Sequence, residues 1–205
     1  MKTRDRILTA SLALFNEEGV SGLSAVDIAA ALGISPGHLY YYFKGKAEIV
    51  STLFTAYEAE LALVLDGAAA AIAKPDADLT TMEIQLRILL EETHDMRFLF
   101  RETGALVAAF PDLAPRFRRV MSAQYGCVVD MLTALAARKK LKAKAKLIDA
   151  LARQVVLGLS FKLLQLDLEG DAGAPRARVA RAAGRLAATA RRAVLAAFAT
   201  TGLAP

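Results

Sequence analysis

The 205-residue chain has a single cysteine and two histidines. One thiol, Cys127, excludes an internal disulfide framework and suits a reducing compartment, where such a residue serves as a small buried apolar group. The chain also lacks any uncharged apolar run of about 18 residues, the length a membrane-spanning helix requires. Its most apolar segment, Leu147 to Leu168, is broken by Asp149, Arg153, Lys162 and Asp167. The opening residues, Met1-Lys2-Thr3-Arg4-Asp5-Arg6, pass straight into an amphipathic pattern and have neither the apolar centre nor the cleavage site of a signal peptide. The expectation is a cytoplasmic protein without a membrane partner.

Scarcity of histidine also bears on catalysis. Glu91-Glu92-Thr93-His94 contains one Glu-x-x-His, and a di-metal helical bundle uses that motif twice. The other histidine, His38, follows Ser35 at that spacing, so no second copy exists. No histidine lies near Cys127 in sequence and there is no Gly-x-Ser-x-Gly elbow. The chain therefore reads as a non-enzyme with no cofactor and no metal. A helical bundle metalloenzyme is a remote alternative, and a protein-interaction module is the nearer one.

Period-two alternation and β-branched runs are missing too, which leaves an all-α fold. A first helix is expected from about Thr3 to Glu18, with Ile7, Leu8, Ser11, Leu14 and Phe15 on one face and Gly19 beyond its end. Two short helices follow. A long helix is expected from Lys46 to about Ala73, closed by Pro75, and then one capped by Asp78 or Thr80. A short helix runs through Phe98 to Phe100 and stops by Pro111. The next helix starts after Asp112 and reaches the lysine cluster Arg138 to Lys146. The last two helices span about 147–169 and 174–201.

The net charge of +5 does not come from the N-terminal part. There Lys2, Arg4, Arg6, Lys44 and Lys46 balance Asp5, Glu17, Glu18, Asp27 and Glu48, but the cations gather at the two ends, where they can flank an anionic backbone. The cluster 138–146 reads as a solvated helix terminus, since cations complement the negative end of a helix.

Residues 24–43 carry the most information. Ile28, Ala29 and Leu32 give the first short helix an apolar face. Gly33 supplies the left-handed residue that ends it. Ser35 is a good N-cap, and Pro36 suits the first helical position because its missing N–H is not needed there. Leu39 and Phe43, one turn apart, bury the second helix. This spacing is the helix-turn-helix, whose second helix is offered to the DNA major groove.

With Phe15, Gly19, Ser24, Ile28, Ala29, Gly33, Ile34, Ser35, Gly37, Leu39, Tyr40, Phe43, Lys44 and Lys46 in place, residues from about Thr3 to Val50 resemble the TetR family of bacterial transcriptional regulators. The string Leu-Tyr-x-x-Phe-Lys-x-Lys behind Gly-Ile-Ser-x-Gly is the specific part. Ala25 and Val26 stand where that family often has hydroxyl or polar side chains, and Tyr42 where it usually has histidine.

The resemblance implies a helix-turn-helix DNA-binding domain over 1–46 and a helical effector-binding and dimerisation domain over 47–205. It also implies a homodimer formed through the helices at about 147–169 and 174–201, bound to a double-stranded operator and responsive to an unidentified small molecule, with repression the commoner outcome. Expected DNA contacts are Ser24, Ser35, Pro36, Gly37, His38, Tyr40, Tyr41, Tyr42, Lys44 and Lys46. Within this set, Ser35, His38 and Tyr41 face base edges, the Tyr40 and Tyr42 hydroxyls face phosphates, and Lys44 and Lys46 hold a phosphate at the start of the long helix. Candidate effector contacts are Phe98, Arg101, Phe117, Met121, Gln124, Tyr125, Phe161 and Gln165.

Overall fold

The computed structural model describes residues 2–139, 141 and 143–168, with side chains through Phe161. The described residues form nine α-helices: α1 Thr3–Glu18, α2 Ala25–Ala31, α3 Pro36–Tyr42, α4 Lys46–Ala73, α5 Leu79–Asp95, α6 Arg97–Arg101, α7 Thr103–Ala109, α8 Leu113–Ala137 and α9 Ala145–Leu168. The all-α expectation holds. The segment expected as one short helix before Pro111 is instead two, α6 and α7, hinged at Glu102. The helix expected at 174–201 lies outside the described residues.

Two compact units result among the described residues, one of residues 2–60 and 96–118 and one of residues 61–95 and 119–168. In the first, α1, α2 and α3 pack on one another around Ile7, Phe15, Ile28, Ala29, Leu39 and Phe43, all essentially without solvent exposure. A seven-residue helix such as α3 is far too short to persist alone. It is held by Leu39 and Phe43, each contributing about 1.5–3 kcal/mol through burial. Beyond this head the unit's core is aromatic. Phe15 meets Phe98 at 5.4 Å, Phe54 meets Phe117 at 4.8 Å and Tyr57 meets Phe100 at 5.7 Å, the last two edge-to-face.

One buried group in this unit is at odds with its surroundings. Ser11 is fully buried on α1, and its hydroxyl has no hydrogen-bond partner among the described residues. An orphaned hydroxyl costs its desolvation without return, and alanine is the better helix former. Ser11→Ala is expected to raise stability by about 1 kcal/mol, or about 2–4 °C in melting temperature by thermal denaturation.

In the second unit α5 packs on α9. Asp78 caps α5, its carboxylate accepting from the Thr81 N–H at 3.0 Å. Arg138 donates to the main-chain oxygens of Ile72 (2.8 Å) and Ala73 (3.2 Å), which are the free carbonyls at the end of α4. The first cation of the expected solvated cluster thus complements a neighbouring helix end and not only its own. By length and composition α8 is the one described helix apolar enough to cross a membrane. It nevertheless carries Arg116, Arg118 and Arg119 in its first two turns, and its Phe117, Val120, Val128, Met131, Leu132 and Leu135 are buried within the protein. Cys127, on this helix, has its thiol pushed up to about 11, chiefly by burial and secondarily by Asp130.

Candidate nucleic-acid interface

The turn between α2 and α3 forms as its sequence requires. Gly33 takes φ +65°, and the Gly33 and Ile34 N–H groups return to the carbonyls of Ala30 and Ala29, each at 3.0 Å. The Ser35 hydroxyl accepts from the His38 N–H at 3.1 Å and so caps α3, with Pro36 in the first turn. Leu39 is the buried residue of α3. The side chains around it are turned out: His38 is exposed, Tyr40 is 49% exposed and Tyr41 83%, while Tyr42 is half-buried. Three of these rings form an ordered row. His38 lies 5.5 Å from Tyr42, and Tyr41 meets Tyr42 edge-on at 5.0 Å. A Cβ built on Gly37 would meet only the Ser35 hydroxyl at 4.0 Å, so nothing inside the head demands glycine there.

The expected contacts Ser35, Pro36, Gly37, His38, Tyr40, Tyr41 and Tyr42 are therefore gathered on one short helix, with exposed Lys44 just beyond it. Arg4, which sequence reasoning left outside the contact set, is brought to the same end: its guanidinium lies 4.8 Å from the centroid of the Phe43 ring. A cation stacked on an aromatic residue next to the helix end was not foreseeable from residues 39 positions apart.

Two of the expected contacts are otherwise engaged. Ser24 caps α2, accepting from the Asp27 N–H at 3.2 Å while its hydroxyl donates to the Asp27 carboxylate at 2.6 Å. Its own N–H donates to the same carboxylate at 2.8 Å, completing a capping box. These bonds hold the Asp27 carboxyl below its usual range, and they leave the Ser24 hydroxyl no proton for a phosphate. Lys46 is engaged within the head as well. Its ammonium donates to the main-chain oxygens of Val20 (2.7 Å) and Leu23 (2.5 Å). The Val20 carbonyl also accepts from the Leu23 N–H at 3.3 Å, and the lysine at the start of α4 completes the bonding of this link. An ammonium has three N–H donors, so at most one remains for DNA.

The same link is held a second time. Glu102, between α6 and α7, accepts from the Val20 N–H (2.9 Å), the Ser21 N–H (3.1 Å) and the Ser21 hydroxyl (2.7 Å). Asn16 accepts from the Phe98 N–H at 3.1 Å, and Arg101 donates to the Asn16 main-chain oxygen at 3.1 Å. On α8, Arg116 donates to the Glu58 carboxylate (2.6 and 3.1 Å), the Ser51 carbonyl and hydroxyl, and the Thr55 hydroxyl, with its guanidinium 4.4 Å from the Phe54 ring centroid.

The candidate effector contacts are divided between the units. Phe98, Arg101 and Phe117 belong to the first, engaged with Phe15, Asn16 and Phe54 respectively. Met121, Gln124, Tyr125 and Phe161 belong to the second. There the Ser160 hydroxyl donates to the Met121 sulfur at 3.3 Å, and Tyr125 donates to Asp149. That bond raises the Tyr125 phenol, while Arg153, followed by Tyr125, lowers the Asp149 carboxyl. Gln124 is fully buried and Phe161 exposed. The Gln165 side chain lies outside the described residues. Among the described residues, no three metal-ligating side chains converge.

Residues 7–53 match the model of the bacterial regulatory proteins of the tetR family, and residues 56–195 match that of the bacterial transcriptional repressor TetR. The chain belongs to the TetR family. Of the curated proteins, the probable HTH-type transcriptional regulator YttP of Bacillus subtilis is 30% identical over 105 residues, 50% of this chain and 51% of YttP. AcrR of Shigella flexneri is 37% identical over 60 residues, 29% of this chain and 28% of its own. This TetR-family chain thus matches about half or less of the length of these two relatives. A solved TetR-family regulator of Marinobacter aquaeolei is 29% identical with a TM-score of 0.73, covering 82% of this chain and 81% of that one. A tetR-family protein of Rhodococcus, at 20% identity, shares the fold with a TM-score of 0.65 over 95% of this chain and 97% of its own. The family is one of transcriptional regulators and not of enzymes.

Proposed function

We propose that the protein is a cytoplasmic repressor that binds a palindromic operator as a homodimer and releases it when a small molecule binds. The observation that carries this reading is α3, where one buried leucine anchors a helix that turns His38, Tyr40 and Tyr41 outward. In this reading residues 1–46 engage DNA and residues 47–205 hold the effector and the dimer contact. Ser35, His38 and Tyr41 meet base edges, the hydroxyls of Tyr40 and Tyr42 meet phosphates, and Pro36 and Gly37 let the helix approach closely. The effector is placed between α8 and α9, beside Met121, Gln124, Tyr125 and Phe161. The side chains proposed earlier in α6 and at the start of α8 already serve the first unit's core. Leu157 and Phe161, exposed one turn apart on α9, support a dimer contact there.

Selection of bound fragments from genomic DNA, followed by gel shift on the recovered palindrome, tests the reading. Tyr40→Ala is expected to abolish retention. A chain acting only through protein contacts would retain no duplex at all.

The phosphate contacts lead to a separate expectation. Lys44→Ala should reduce the slope of log K against log salt by about 0.9, the release of one counterion. Lys46→Ala should act on stability as well, lowering it by about 1–2 kcal/mol because the Leu23 carbonyl loses its charged donor while the Val20 carbonyl keeps the Leu23 N–H at 3.3 Å. Salt titration of binding together with thermal melting of both variants separates the two roles.

A further inference from the structure

The recognition helix lacks the side chains that ordinarily name a base by paired hydrogen bonds. Arginine or lysine reads guanine in that way, and asparagine or glutamine reads adenine. Pro36-Gly37-His38-Leu39-Tyr40-Tyr41-Tyr42 contains none of them. On α2, Asp27 is tied to Ser24 and Val26 beside it is apolar. The surface bears instead an uncommon exposure of large apolar groups. Val26 is half exposed, as is Tyr40, and Tyr41 is the most exposed of all such side chains described in the chain. Tyr41 meets Tyr42 edge-on, and Tyr42 in turn lies against His38, so the rings form one continuous surface. A solvent-facing ring of this kind has one apolar counterpart in the major groove, the methyl group on C5 of a pyrimidine.

Resting on the DNA-binding reading above, we propose that the chain recognises its half-sites by thymine C5 methyl groups packed against the Tyr41 ring rather than by paired hydrogen bonds to purines. Burying one methyl group is worth about a fourfold change in affinity, so one such contact in each half of a palindrome gives about fifteenfold. His38 and the Ser35 and Tyr41 hydroxyls, each able to donate or accept, supplement the methyl contact with single hydrogen bonds.

The experiment uses the full chain and a random-sequence duplex pool. The sequences it retains are resynthesised with uracil in place of thymine, one position at a time, which removes the methyl and leaves every hydrogen-bonding group. The expected result is a symmetric pair of positions at which uracil weakens binding by about fifteenfold together. At those positions Tyr41→Ala should bind the thymine and uracil forms within about twofold of each other. With Tyr41 so exposed, the variant keeps its fold, and an unchanged melting temperature checks that. Restoring the methyl with 5-methylcytosine opposite guanine at the same positions should recover part of the loss, which separates the methyl from the base that carries it. Equal binding of thymine and uracil duplexes at every position overturns the proposal while leaving DNA binding intact. A uracil effect that persists undiminished in Tyr41→Ala also overturns it, since the cause is then the shape of the duplex. If the pool yields no retained duplex, the DNA-binding reading falls and this inference with it.

Discussion

Replacing Glu102 with alanine is expected to lower the melting temperature by about 4–10 °C, equivalent to about 2–3 kcal/mol. Its carboxylate receives three hydrogen bonds from Val20 and Ser21, and of these only the Val20 N–H is shielded enough that water replaces it poorly. The partner of this clamp is Gly19. A Cβ there would lie 2.2 Å from the Glu102 Oε1 atom, and the backbone sits at φ +85°, ψ 162°, a conformation open almost only to glycine. Gly19→Ala therefore carries two costs, backbone strain of about 1–3 kcal/mol and displacement of the carboxylate. In a Glu102→Ala background the second cost is gone. The double variant should be more stable than the sum of the single losses implies, by about 1–2 kcal/mol in a double-mutant cycle. Additive losses would show that the loop and the α6–α7 hinge are energetically independent.

Arg116→Ala should be costlier still within the same unit, about 2–4 kcal/mol by chemical or thermal denaturation. The guanidinium satisfies Glu58, Ser51 and Thr55 at once and covers the Phe54 ring. Its side chain is mostly sheltered, at 14% exposure against 27% for Glu58, so the pair is neither a free surface ion pair nor a fully buried one. Arg116→Lys discriminates charge from shape. One ammonium keeps the attraction to Glu58 but cannot span the three groups in a plane or stack on the ring. Lysine is expected to recover less than half of the loss, and recovery close to the parent would mean that net charge alone matters here.

The parts of the fold that could be read from sequence were those whose signals lie within a few residues. Gly33, the Ser35-Pro36 cap and the Leu39/Phe43 spacing define α2 and α3, and the ends of α1 and α4 fall where the sequence places them. The break at Glu102 was not legible. Its carboxylate is drawn to residues more than 80 positions away, and nothing in Arg97 to Ala109 marks that pull. For the same reason the bonds of Lys46 to the α1–α2 link left no local trace. A lysine at a helix start looks alike in sequence whether it serves an anion or two carbonyls, and only the position of the α1–α2 link decides between them. Ser24 was read for two roles, and the structure shows the capping one, with Asp27 as its partner. Arg116 lies 58 positions from Glu58, so its several bonds left no local trace.

Cys127 turns out to be a built-in reporter. With its thiol raised to about 11, only about one molecule in ten thousand carries the nucleophilic thiolate at neutral pH. Alkylating reagents are expected to modify this partly covered sulfur slowly, and denaturation to quicken the reaction as the thiol returns to its ordinary range. As the sole cysteine of the chain, it gives α8 a single site for a thiol-directed probe with no competing thiol to remove first.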